Sequence, residues 1–312
     1  MVRSPALRIG TRGSPLALAQ AEQVRARLAA AWPALAEPGA IAIEVIRTSG
    51  DRISDRPLSE AGGKGLFTKE IEEALSAGTI DLAVHSMKDM PTAFPPGLEV
   101  ACLLPREDPR DVLIAGVTRL ADLPQGAVVG TSSLRRKAQL LARRRDLKIV
   151  DLRGNVETRL RKIESGVAQA TLLALAGLRR LGMEAKASAI LETSEMLPAV
   201  AQGAIGLENR MGDTRVRDFL APLHHLSTGH CVTAERGLLA ALDGSCRTPI
   251  AALALVKTFG RLRLDALIAK TDGSSVLRTA REGPEADAWA MGQDAGEELR
   301  GSAGPDFFKT VS

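Results

Sequence analysis

The stretch LRIGTRGSPLALAQAEQVRARLAAA, residues 7–31, decides the fold class. Its first five residues form an apolar run that reads as a strand. Ser14 followed by Pro15 then reads as the N-cap and first-turn proline of a helix reaching Ala31. Thr11 and Arg12 occupy the turn between them. Strand, short turn and helix in that order make one unit of an α/β sheet, and the unit recurs along the chain. Residues 41–48 read as a second strand. Residues 67–76 read as a helix, with Glu70, Glu72 and Glu73 near its start and Gly78 as its terminator, and residues 80–84 as an alternating strand.

At LPREDPRD, residues 104–111, two prolines among charges interrupt the pattern, which suits a crossover into a second domain. Residues 127–130, 148–152 and 170–175 then read as strands, each followed by a helix, and residues 198–208 as the return crossover. Beyond about Leu226 the order changes to a helix, a Gly-Ser-Cys loop, three strand-like runs and a closing helix from Glu285. The expected class is therefore α/β, with a first α/β domain over 1–104 and 203–222, a second over 105–202, and a small α+β domain over 226–312. No repeat or low-complexity segment stands out, and GGKG at 62–65 is a short local loop.

A chain of 312 residues with 45% apolar content exceeds one ordinary core and can fill two or three. Lys and Arg exceed Asp and Glu by 41 to 37, a surplus too small to point to nucleic acid by itself. Aromatic residues make up 3% and Tyr is absent, so stacking platforms for single-stranded nucleic acid are scarce. Cys102, Cys231 and Cys246 are too scattered for a disulfide framework, which points to a reducing compartment. The N-terminal MVRSPALRIG reaches its strand too soon for a signal or transit peptide, and no apolar stretch is long enough to span a bilayer. A cytoplasmic protein with no membrane partner is expected. His85, His224, His225 and His230 show no metal-ligand spacing, so no metal is expected.

In open α/β sheets ligands collect beyond the carboxyl ends of strands, and arginine recurs there. Arg12 follows the first strand, Arg135 and Arg136 follow the GTSS after it that begins at Gly130, Arg153 follows Leu152, and Arg179 and Arg180 follow Gly177. Each alone reads equally as a solvated charge or an ion-pair partner. Cations in a helix's first turn face its positive dipole end at a cost of up to about 1 kcal/mol, which a bound anion would reverse. Phosphate and carboxylate both fit a guanidinium, so charge does not name the anion, while the lack of Walker or GxGxxG spacing disfavours a nucleotide. The basic run from Arg135 to Lys148 offers a nucleic-acid alternative, weakened because Arg143, Arg144 and Arg145 fall at a helix end that favours cations anyway.

The segment IDLAVHSMKDM, residues 80–90, sets His85, Ser86, Lys88 and Asp89 directly after a strand. Asp89 is the best candidate for an acid or an electrostatic stabiliser. The competing reading is a turn in which Asp89 caps backbone amides and Lys88 faces solvent. Cys102 sits in an apolar run and reads as an inert core thiol. Cys246, beside Arg247 in a loop, reads as a nucleophile or covalent anchor, or as mere packing.

Taken in order, TRGSPLALAQ (11–20), GGKGLFTKE (62–70), AVHSMKDMP (83–91), REDPRD (106–111), GTSSLRR (130–136), LRGNVETRL (152–160), ALAGLRRLG (174–182), AVAQGAIGLE (199–208) and GSCRTPI (244–250) resemble the porphobilinogen deaminase (hydroxymethylbilane synthase) family across nearly the whole chain. The resemblance implies two periplasmic-binding-protein-like domains joined by two crossovers, plus a small third domain. It implies a transferase that condenses four porphobilinogen units head to tail, releasing ammonia each time, and then hydrolyses the chain to hydroxymethylbilane in porphyrin biosynthesis. It also implies a dipyrromethane cofactor joined to Cys246 by a thioether. Porphobilinogen bears acetate and propionate groups, which resolves the anion as carboxylate.

Carried over residue by residue, Asp89 matches the catalytic aspartate, and Ser86, Lys88, Asp89, Ser133, Arg135, Arg136 and Arg153 match cofactor contacts. Arg12, Ser14, Arg153, Arg159 and Arg180 match substrate contacts, and Lys64 a mobile-loop lysine. Porphobilinogen and water are the expected partners, with no nucleic acid, for a monomer. Ala201 replaces a glycine common in the family, and Gln169 stands where aspartate is frequent. The competing class is a non-catalytic two-domain anion-binding protein, since such layouts are shared with solute receptors.

Overall fold

The computed structural model describes residues 5–52, 65–244, 248–304 and 307. The chain divides into two compact units, one of residues 1–106 and 204–229, the other of residues 107–203 and 230–312.

The first unit holds β1 (Leu7–Thr11), α1 (Pro15–Ala31), α2 (Pro33–Ala36), β2 (Ile41–Val45), α3 (Ser49–Arg52), α4 (Lys69–Ser76), β3 (Leu82–Ser86) and β4 (Leu98–Leu103). The second opens with β5 (Asp111–Ala115), β6 (Val128–Gly130), α5 (Leu134–Arg143), β7 (Lys148–Val150), α6 (Val156–Glu164), β8 (Ala170–Ala174), α7 (Leu175–Arg180) and β9 (Ala189–Ile190). After it come β10 (Ile205–Arg210), α8 (Thr214–Leu220), α9 (Leu226–Ala241), β11 (Ile250–Val256), β12 (Arg261–Ala269), β13 (Val276–Pro284) and α10 (Ala288–Ala303).

In the first unit the strands run β2-β1-β3-β10-β4. The first three are parallel and β10 lies antiparallel between β3 and β4. Helix α1 starts as its sequence dictates, the Ser14 hydroxyl accepting from the Ala17 amide with Pro15 in the first turn. Its buried residues Gln20, Ala21, Val24 and Leu28 recur at helical spacing and lie over the sheet. Leu7, Ile9, Leu28, Leu82, Val84, Ile205 and Leu207 share one core, each fully buried side chain contributing roughly 1.5–3 kcal/mol. The strand expected at 80–84 is observed at 82–86, and Leu82 through His85 are all buried. Alternation fails because β3 is a central strand covered on both faces.

The second unit repeats the same sheet order as β7-β6-β8-β5-β9, again with three parallel strands and one antiparallel insertion, β5. In both sheets the inserted strand is the one adjoining a crossover. The third sheet is the antiparallel meander β11-β12-β13. Leu253, Leu267 and Ala269 of this sheet pack with Ala138 of α5 and with Leu197.

Helices α9 and α10 meet through glycine. A Cβ on Gly292 would stand 2.0 Å from the Ala234 carbonyl oxygen and 2.8 Å from the Leu238 nitrogen, both backbone atoms. Gly301, on the same helix, has open space around it. We expect Gly292→Ala to destabilise the protein by about 1–3 kcal/mol through overpacking. Gly301→Ala should instead be neutral or stabilising by up to about 1 kcal/mol through helix propensity. Equal urea midpoints for the two variants would show that the backbones do not touch at Gly292.

Candidate active site

In the first unit the strand ends converge on one pocket lined by Arg12, Ser14, Gln20, Phe67, Thr68, His85, Ser86 and Asp89. It encloses about 60 Å³, room for the edge of a ring rather than a whole chain. Arg12, in the turn after β1, lies 4.1 Å from the centroid of the Phe67 ring and donates from Nε to Asp51 at 3.2 Å. Burial pushes the Asp51 carboxyl up, but hydrogen bonds from Arg12 and Thr48 outweigh it and hold the group below its usual range. Gln20 donates to the Ser86 hydroxyl at 2.8 Å, tying α1 to the end of β3.

Asp89 ends the single 3₁₀ turn that follows β3, anchored by the buried Met87 and Met90. Its carboxylate makes no hydrogen bond or ion pair among the described residues. The turn-capping alternative is therefore not realised. His85 and Glu208 lie beneath, joined Nε2 to Oε2 at 3.0 Å and 5% and 0% exposed. Glu72 of α4 is buried with them. Burial, reinforced by the Glu208 charge, raises its carboxyl pKa.

In the second unit Ser133 caps α5, accepting from the Arg136 amide at 3.4 Å. Arg135 and Arg136 then turn inward onto Asp111, the first residue of β5. Arg135 donates to Asp111 Oδ2 at 2.7 Å and to the Leu197 carbonyl at 2.8 Å. Arg136 donates to Asp111 Oδ1 at 2.7 Å and to the Leu172 carbonyl at 2.7 Å. Gln202 adds a bond to the same Oδ1 at 3.1 Å. Asp111 is fully buried and both guanidiniums are 5% exposed. Burial alone would raise the Asp111 pKa, yet the two cations overcome it and hold the carboxyl far below its usual range.

Two guanidiniums against one carboxylate leave a surplus positive charge. Arg135 Nε is also buried without a hydrogen-bond partner. Two carboxyl-bearing pyrroles suit that donor set, so the residues fit a dipyrromethane.

Of the neighbouring pair on α7, Arg179 is satisfied by Glu107 at 2.9 Å and Glu184 at 3.0 Å. Arg180 donates to the Gly203 carbonyl at 2.7 Å and makes no ion pair among the described residues, and burial pushes its pKa down to about 10. Arg159 Nε donates to the Gly154 carbonyl at 2.8 Å, and the Arg153 carbonyl accepts from Lys162 at 3.1 Å. The basic run is largely spent internally, since Arg143 binds carbonyls of Ser194 and Glu195 and Arg144 pairs with Asp146. Lys64 and Cys246 lie outside the described residues. Cys102 is fully buried, and burial pushes its thiol up to about 12. No helix of the described residues is long and apolar enough to cross a membrane, and no metal-holding cluster occurs among them.

Sequence reasoning missed Asp111, Asp51, Glu72 and Glu208. Asp111 was visible in principle, because the apolar VLIA that follows it marks a strand rather than a linker.

In the first unit the carboxylate of Asp89, without a hydrogen bond or ion pair among the described residues, shares a pocket with the Arg12 guanidinium, and in the second two guanidiniums meet one carboxylate, a cation-rich strand-end arrangement that defines an α/β protein suited to an anionic ligand. The family model described as "Porphobilinogen deaminase, dipyromethane cofactor binding domain" matches residues 7–218, and "Porphobilinogen deaminase, C-terminal domain" matches 230–301. The chain is 59% identical over 303 residues to the porphobilinogen deaminase of Paracoccus denitrificans (strain Pd 1222), covering 97% of this chain and 96% of that one. It is 54% identical over 308 residues to the chloroplastic porphobilinogen deaminase of Oryza sativa subsp. japonica, covering 98% and 86%. A TRAP periplasmic solute binding protein from Desulfovibrio salexigens superposes with a TM-score of 0.41 at 12% identity, over 71% of this chain and 73% of that one. The chain belongs to the porphobilinogen deaminase family.

The Asp111 clamp has a measurable pH signature. A depressed folded pKa contributes stability that is complete above the unfolded value of about 3.9 and lost as pH falls below it. Asp111→Asn leaves two buried guanidiniums without a counter-charge, so we expect a loss of about 3–5 kcal/mol at pH 7. The gap from wild type should narrow as denaturation is repeated below about pH 4. A gap that stays constant down to pH 3 would contradict the clamp.

Proposed function

We propose that this chain is a hydroxymethylbilane synthase that condenses four porphobilinogen units head to tail, releases ammonia at each step, and hydrolyses the finished chain. Its pocket joins the free carboxylate of Asp89 to the cation of Arg12, and that juxtaposition carries the reading. When bound, the dipyrromethane supplies the free pyrrole carbon from which the chain grows. Cys246 holds it covalently, and Ser86, Lys88, Ser133, Arg135, Arg136 and Arg153 contact it. The surplus charge around Asp111 supports the placement of carboxylates at Arg135 and Arg136. Arg12, Ser14, Arg153, Arg159 and Arg180 hold the substrate's acetate and propionate groups, and Lys64 acts from its loop. The lack of an ion pair at Arg180 among the described residues supports its share of that work. Cys102 and Cys231, both buried and outside any disulfide, accord with a monomer in a reducing cytoplasm.

Loss of ammonia from the aminomethyl group spreads positive charge over the substrate ring, and Asp89 stabilises that charge as it develops. At about 4 Å and an effective dielectric of about 20, the attraction is roughly 4 kcal/mol, equivalent to about a thousandfold in rate. Asp89→Asn preserves size and one acceptor but deletes the charge, so the chemical step should slow by about a hundredfold or more. Asp89→Glu keeps the charge and misplaces it by one methylene, and should retain more activity than Asn. Single-turnover addition of porphobilinogen to cofactor-loaded enzyme, read by intact mass, separates chemistry from cofactor assembly. An Asn variant within tenfold of wild type would remove Asp89 from the mechanism.

A further inference from the structure

We propose that His85 is the proton acceptor of this pocket and that Glu208 is its positioning residue. The inference deepens the reading above and rests on it. His85 is the last buried residue of β3 and lines the pocket with Arg12, Ser86 and Asp89. Its Nε2 is taken by Glu208, which reaches it from the inserted strand β10. The imidazole makes no other hydrogen bond among the described residues. With Nε2–H donated to a carboxylate, the lone pair sits on Nδ1, the tautomer required of a base.

Glu72 completes the arrangement. Glu72 and Glu208 each have a buried Oε1 without a hydrogen-bond partner, and burial together with the Glu208 charge favours a proton on Glu72. The Glu208 carboxylate, 3.0 Å from Nε2, is then the imidazole's one hydrogen-bonded counter-charge. On the pocket side the charged residues sharing its lining with His85 are Arg12, in the turn after β1, and Asp89, in the turn after β3.

The chemistry needs such a group. In each condensation the incoming unit reacts as its ammonium form, so that the aminomethyl C–N bond breaks and its electron pair leaves with the already protonated nitrogen as neutral ammonia. The new C–C bond forms from the π electrons of the preceding pyrrole, whose α-carbon still carries hydrogen. That proton leaves to His85 Nδ1, the electrons return to the ring, and the proton passes on to ammonia or water. Asp89 stabilises the charge while His85 removes the proton, so the two roles rest on different groups.

The test uses porphobilinogen deuterated at its free α-carbon, with wild type, His85→Asn and Glu208→Gln, each loaded with cofactor. We expect single-turnover condensation to slow by about a hundredfold in His85→Asn. A primary isotope effect absent or small in wild type should appear in both variants, as proton removal becomes limiting, with little change in KM. Nitrogen-15 NMR of the wild-type imidazole should show the Nε2–H tautomer, and Glu208→Gln should lose that preference. Variants that condense at the wild-type rate without an isotope effect would overturn the inference, as would an Nδ1–H tautomer in wild type. Failure of wild type to release ammonia from porphobilinogen would instead sink the functional reading beneath it.

Discussion

The buried carboxylate of Asp111 is the interaction on which the second unit depends. It joins the first residue of β5 to the first turn of α5. Through the two arginines it reaches the Leu172 carbonyl of β8 and the Leu197 carbonyl, and through Gln202 the segment that leads to the return crossover. An isolated buried ion of this kind is expensive, and the geometry offsets the cost only because nearly every lone pair and N–H is used. Arg135 Nε is buried without a hydrogen-bond partner, a deficit that supports the anion-binding role proposed for this unit. The proposed anion contacts and the stability of the unit draw on the same guanidiniums, so the kinetic effect of a substitution at Arg135 or Arg136 is interpretable only beside a stability measurement.

The first unit uses the same device in a different chemical form. Its inserted antiparallel strand, β10, also carries a fully buried acid, Glu208, and also directs it at a basic side chain beside the site, His85. β10 and β5 hold equivalent positions in two sheets of identical order. Where the partner is arginine, the pair is a permanent charge clamp. Where it is histidine, the partner is a group that can exchange a proton, which is the role proposed for it. The proposed binding site of one unit and the proposed proton acceptor of the other thus rest on one topological position.

Much of this was legible before the structure. The βα unit at 7–31, its Ser14 cap and the α+β tail follow from periodicity and capping chemistry, and β1 and α1 lie where the sequence puts them. Arg12, Ser86 and Asp89 were recognisable as strand-end residues, and the fold brings the three to one pocket. What stayed hidden depends on pairing across the chain. Asp111 and Glu208 lie in segments that read as crossovers, and nothing local distinguishes a solvated linker acid from a buried one whose partner is 24 or 123 residues away. The duplicated sheet order left no sequence repeat, because burial and hydrogen bonding constrain topology without constraining residue identity. Ala201 looked like a minor departure from the family's glycine. At φ 58° it occupies the left-handed region that favours glycine, held there by Glu235 accepting from its amide.

The central claim is that this chain builds its product on a pyrrole primer anchored at one cysteine. Intact-mass spectrometry of the purified protein, before and after brief exposure to porphobilinogen and followed by peptide mapping, addresses it most directly. The account predicts a resting adduct of two pyrrole units on the peptide containing Cys246, none on those containing Cys102 or Cys231, and a ladder of further masses each equal to porphobilinogen less ammonia. A protein of unmodified mass that acquires no ladder, or an adduct mapped to Cys102 or Cys231, would contradict it.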